Sequence, residues 1–78
     1  MSIQIAKTLD AKGLACPMPV LKSKKALRTL EIGQVLEILA TDSGSMNDIA
    51  AWTRTTKQEL LESSEQDGVY RFLVRRLN

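Results

Sequence analysis

Both prolines of the chain stand two residues apart, at positions 17 and 19, and they fix where the first helix begins. Proline is tolerated in the first helical turn, where its missing N–H would have no intrahelical partner. It also pushes the residue before it out of helical geometry. Cys16 is therefore placed as the N-cap, or in the loop just above the helix if the helix starts at Pro19. Beyond the prolines the apolar residues fall at helical spacing. Val20, Leu27 and Leu30, with Leu21 alongside, form a stripe that predicts a helix from 17 to about 30. Gly33 follows as a common kind of stop.

On either side of this helix the period changes. Ile3, Ile5, Lys7 and Leu9 alternate with polar or small residues and predict a first strand, with a loop over 10–15. Val35, Leu36, Ile38 and Leu39 are nearly continuous, as in a strand over 34–40 buried on at least one face. Residues 41–45 read as a turn, in which Ser45 is a candidate N-cap with Asp48 three positions on. A second helix over 46 to about 56 turns Met46, Ile49, Ala50 and Trp52 or Thr53 inward. Residues 59–64 predict a third strand, Asp67-Gly68 a hairpin turn, and 69–77 a last strand with Tyr70, Phe72 and Val74 on one face. The order βαβαββ predicts an α+β fold. It is a two-layer sandwich, a four-stranded mixed sheet with two helices on one face and a parallel first βαβ unit. With 78 residues, the chain is read as one domain over 1–78.

Composition removes most kinds of chemistry. The chain has one cysteine and no histidine. A Cys-His dyad, a Ser-His-Asp triad and a Cys/His zinc site are excluded, and so is an internal disulfide. No metal and no cofactor are expected. The first residues lack the basic start and apolar run of a signal peptide, and no stretch approaches the roughly 20 apolar residues of a membrane helix. These features predict a soluble, cytoplasmic protein. A net charge of +2 is too small to argue for nucleic acid or an anionic membrane.

What remains is the thiol. A lone cysteine is more often an inert core residue than a nucleophile. The prolines argue otherwise, because they put Cys16 at a helix start and off the apolar stripe. A helix start carries partial positive charge and unpaired N–H groups, which favour a thiolate. Pro17 and Pro19 remove two of those donors, leaving the Met18 N–H as the expected helix donor near the sulfur. Lys22, Lys24, Lys25 and Arg28 follow with no acid between 17 and 30, and Lys12 precedes them. Such a surface favours an anionic sulfur and attracts an acidic partner, although a solvated helix face has the same pattern. Trp52 is read as packing rather than as a binding platform.

At these residues the chain resembles the TusA/SirA/YedF family of small sulfur carriers. The resemblance covers residues 9–76. It is carried by Leu9-Asp10-Ala11-Lys12-Gly13-Leu14, Cys16-Pro17-Met18-Pro19-Val20, Lys25-Ala26-Leu27, Gly33-Gln34-Val35-Leu36-Glu37, Asp42, Asp48-Ile49 with Trp52, and Tyr70-Arg71-Phe72-Leu73-Val74-Arg75. It implies a sandwich similar to the C-terminal domain of translation initiation factor three. It implies that Cys16 accepts sulfane sulfur as a persulfide from a cysteine desulfurase or a rhodanese-like donor. The sulfur then passes to a TusD/DsrE-type acceptor, in tRNA thiolation, sulfur oxidation or cofactor synthesis. Cys16 is the reacting residue, and Pro17, Met18, Pro19, Lys24, Arg28 and Asp42 are binding positions. The position between the prolines, acidic in the TusA branch proper, is Met18 here.

The resemblance describes a persulfide relay, not a multiple-turnover enzyme acting on a small molecule, and a monomer is expected. Two other classes stand beside it: an RNA-binding module using the basic helix, and a regulatory adaptor in which Cys16-Pro17 only starts a helix. Few aromatic residues and the modest charge count against direct nucleic-acid binding.

Overall fold

A computed structural model describes residues 3–78. Its elements are β1 (Ile5–Ala11), α1 (Met18–Arg28), β2 (Val35–Ala40), α2 (Ser45–Thr56), β3 (Glu59–Gln66) and β4 (Val69–Arg75). The four strands form one sheet in the order β1-β2-β4-β3. β1 pairs parallel with β2, whereas β4 pairs antiparallel with both β2 and β3. The α+β sandwich expected from the element order is therefore the observed fold.

Strand alternation sorts side chains between the two faces. Leu36, Ile38 and Ala40 of β2 and Phe72 and Val74 of β4 point to the helices. There they form one buried cluster with Val20, Ala26, Leu27 and Leu30 from α1 and its exit, and with Ile49 and Trp52 from α2. Tyr70 packs against the same cluster, so the expected face of β4 is the observed one. Asp67 and Gly68 both have positive φ, the geometry a two-residue hairpin turn of this twist requires.

Several sequence expectations shift. β1 starts and ends two residues later than its alternation suggested, because Asp10 and Ala11 still pair with Leu39 and Ala40. Leu21 is 47% exposed and Met46 is 38% exposed, so neither belongs to the core. On α1 the buried positions are Pro19, Val20, Ser23, Ala26 and Leu27. Ser23 completes that stripe, since its hydroxyl donates to the Pro19 carbonyl one turn back (2.6 Å) and needs no water. Thr53 is buried in the same way, donating to the Ile49 carbonyl (2.9 Å). A hydroxyl satisfied by its own helix behaves as a small apolar group. A pattern of apolar letters alone misses it.

Gly44, not Ser45, is the N-cap of α2. The Ser45 hydroxyl donates back to the Asp42 carbonyl (2.5 Å), which tightens the turn entering the helix. Among the described residues, no helix is long and apolar enough to cross a membrane.

Candidate functional site

The parallel pairing of β1 and β2 puts their C-terminal ends side by side, with Ala11 opposite Ala40. Both alanines are fully buried. The loop leaving β1 and the loop leaving β2 therefore start side by side. The two loops are stitched together: the Gly13 N–H donates to Thr41 Oγ1 (2.9 Å), and the Cys16 N–H donates to Asp42 Oδ2 (3.2 Å). Gly13 turns the first loop at φ +84°, a backbone angle that side chains disfavour.

Cys16 sits on this junction and is exposed. Of the two placements left open by the sequence, N-cap or loop, the loop is the observed one, with the helix starting at Met18. Pro17 is the N-cap of α1, and the Cys16–Pro17 peptide is cis. The Met18 N–H, expected to face the sulfur, instead donates to the Ala15 carbonyl (2.9 Å). With Pro17 and Pro19 lacking donors, little of the helix terminus is aimed at the thiol.

Carboxylates take that place. The Cys16 thiol donates to Asp48 Oδ2 in the first turn of α2, with the two atoms 2.5 Å apart. This hydrogen bond holds the thiol pKa above its ordinary value. Desolvation and the charges of Asp48 and Asp42 push the same way. The expectation of a thiolate favoured by the helix start and nearby lysines is corrected here. The acids that surround Cys16 come from the β2–α2 segment, and no cation offsets them among the described residues.

Gly44 completes the site. A Cβ there would lie 3.1 Å from Asp42 Oδ2 and within 4 Å of both Cys16 Cβ and Sγ. The turn thus packs directly against the cysteine. Asp48, in contact with the sulfur, is the position that residue-level reading left unassigned. Asp48 had been visible only as a helix-capping acid and as part of the family pattern.

The remaining expected positions divide between two places. Pro17 and Met18 are exposed beside Cys16, whereas Pro19 is buried beneath them. Lys24 and Arg28 lie further along α1. They line a cleft of about 310 Å³ with Leu27, Trp52, Thr56 and Arg76. That cleft is at the C-terminal end of the helix layer, and α1 alone spans about 16 Å between the two places. Trp52 is only 7% exposed and packs in the core, as expected.

Comparison with known proteins shows the family and the fold. A family model described as sulfurtransferase TusA matches residues 7–76. The sulfur carrier protein TusA of Allochromatium vinosum is 47% identical over 68 residues, covering 87% of this chain and 90% of its own. YrkI of Bacillus subtilis is 47% identical over 70 residues, covering 90% and 93%. In three dimensions, the crystal structure of a SirA-like protein from Desulfitobacterium hafniense superposes with a TM-score of 0.81 at 31% identity. It covers 92% of this chain and 99% of that one. A sandwich with its single cysteine raised on the β1–α1 loop, matched along nearly its whole length, belongs to the TusA sulfurtransferase family.

Proposed function

We propose that this chain is a sulfur carrier that holds sulfane sulfur as a persulfide on Cys16 and relays it to an acceptor cysteine. The observation that carries the reading is the exposure of that thiol on a stitched loop, in a chain of this family. Its sulfur is reachable by a partner and held in one place by the Asp42 contact to its backbone.

Loading and delivery are two attacks at sulfur. In the first, Cys16 loses its proton and its sulfur attacks the outer sulfur of a donor persulfide. The S–S bond of the donor breaks, the donor thiolate leaves and takes up a proton, and Cys16 carries the cargo. In the second, an acceptor thiolate attacks the outer sulfur on Cys16, and Cys16 leaves as the thiol. No oxidant enters either step. The chain has no second cysteine, so nothing within it can discharge the persulfide by attacking it.

Protein persulfides are the natural donors: a cysteine desulfurase or a rhodanese-like protein. A TusD/DsrE-type cysteine is the natural acceptor. Met18, 41% exposed beside the sulfur, with Pro17 and Asp42, forms the rim that such partners meet. Lys24 and Arg28 form a second, cationic contact area for acidic surfaces.

Incubation with a cysteine desulfurase and free cysteine tests the reading by mass spectrometry. The expected result is a gain of one sulfur atom, reversed by reductant and missing in Cys16→Ser. A wild-type chain that never gains sulfur from the desulfurase, a rhodanese or a small persulfide donor would overturn it.

A further inference from the structure

We propose that Asp48 biases the carrier toward giving sulfur up, because its hydrogen bond to Cys16 exists only in the empty state. The inference rests on the persulfide reading above and concerns the direction of transfer.

In the empty protein, the Cys16 thiol donates to Asp48 Oδ2. Loading replaces the hydrogen on Sγ with sulfur, so Sγ keeps no proton to donate. Nor can the cargo take the hydrogen's place. An outer sulfur is bonded to Sγ at about 2.05 Å, and Asp48 Oδ2 already stands in hydrogen-bond contact with Sγ, which leaves no room for a second sulfur between them. The outer sulfur must point elsewhere, and Cys16 is open to solvent. An ionised outer sulfur also meets the negative charges of Asp48 and Asp42, with no cation to offset them among the described residues.

The exchange is Cys16 thiol plus donor persulfide giving Cys16 persulfide plus donor thiol. One S–S bond breaks, one forms, and the thiol proton moves from Cys16 to the donor sulfur. A contact present on only one side of such an equilibrium shifts it toward that side. Asp48 therefore weakens the hold of Cys16 on sulfur. Asp42 differs, since its hydrogen bond is to the Cys16 backbone N–H and is available whether or not sulfur is bound.

The experiment equilibrates wild type, Asp48→Asn, Asp48→Ala and Asp42→Asn without oxygen in a fixed ratio of glutathione persulfide to glutathione. The loaded-to-empty ratio is read by intact-mass spectrometry. Both Asp48 variants should raise the ratio about threefold to tenfold, and Asp42→Asn should raise it less. The pH midpoint of Cys16 alkylation, measured on the same proteins without sulfur, should fall in both Asp48 variants. That readout does not depend on loading, and a residue serving only the fold would not lower it. A wild type that loads, with Asp48 variants that load equally or less, overturns the proposal and leaves the carrier reading intact. A wild type that does not load at all overturns the carrier reading itself.

Discussion

On the outer face of the sheet, Glu37, Glu59 and Glu62 each meet an arginine; at the ends of β1 and β2, Asp42 and Asp48 meet a cysteine. The Arg71 guanidinium donates to Glu37 and to Glu62, both at 2.6 Å, and Arg75 donates to Glu59 at 3.0 Å. Leu73 lies between these two arginines along β4 and opposite Glu37 and Glu62 across the sheet. It is only 4% exposed although the helices lie on the other face. The ion pairs and the apolar stems of the arginines serve as its cover. The electrostatic consequences run in opposite directions. Arg71 holds the Glu37 carboxyl below its ordinary pKa, whereas Asp48 holds the Cys16 thiol above its own. Paired carboxylates build the sheet surface. Among the described residues, the carboxylates of the site pair with no cation and act on the sulfur.

If that division is right, truncating an arginine and neutralising an aspartate must have different costs. Arg71→Ala removes two half-exposed ion pairs and uncovers Leu73. It should lower stability by about 1–2 kcal/mol in urea denaturation, a figure kept small because exposed pairs are screened by solvent. Asp48→Asn should change stability by less than about 0.5 kcal/mol. Equal losses in the two variants would mean that the site acids are structural as well.

Acid titration sharpens the same contrast. A carboxylate whose folded pKa lies below its unfolded value contributes stability that is complete above the unfolded pKa and lost as pH falls through the folded one. For Glu37 this loss should begin near the ordinary carboxylate range and continue below it. Glu37→Gln should be less stable than wild type at pH 7 and should lose less between about pH 6 and pH 3. Denaturation curves at several pH values measure it. Parallel losses in the two proteins would show that the Arg71 pair does not couple to folding.

At the site the readout is the thiol. Asp48→Asn should increase the rate of Cys16 alkylation at neutral pH. Asp42→Asn should increase it less, because Asp42 acts on the sulfur only through its charge. A reversed order would assign the main effect to the wrong aspartate. The smallest expected change belongs to Gly44→Ala. Its added methyl displaces the end of the Asp42 side chain by a few tenths of an ångström. This should slightly loosen the Asp42 contact to the Cys16 N–H, seen as a shift of that amide resonance with little change in stability.

The prolines, the switch between two-residue and helical periods and the Asp67-Gly68 turn made the elements legible, since each signal acts within a few residues. Ser23 escaped because a hydroxyl returned to its own helix looks polar in sequence and behaves as apolar in the core. Leu21 and Met46 erred the other way, apolar letters at the margin of a stripe that face solvent. The placement of Cys16 in an exposed loop before α1 was legible from Pro17 and Pro19. Its electrostatic surroundings were not. The helix-start argument counted the donors that sequence leaves free, but the Met18 N–H is used by Ala15.

Sequence alone thus determined that a single reachable thiol stands just before the first helix of a βαβαββ sandwich, because capping, periodicity and turn chemistry are local. Only the tertiary structure decided what that thiol feels. Asp42 and Asp48 lie 26 and 32 residues beyond Cys16, and the parallel register of β1 on β2, with the turn into α2, brings them to it. Charges at such separation act through space, at a distance that the fold alone sets.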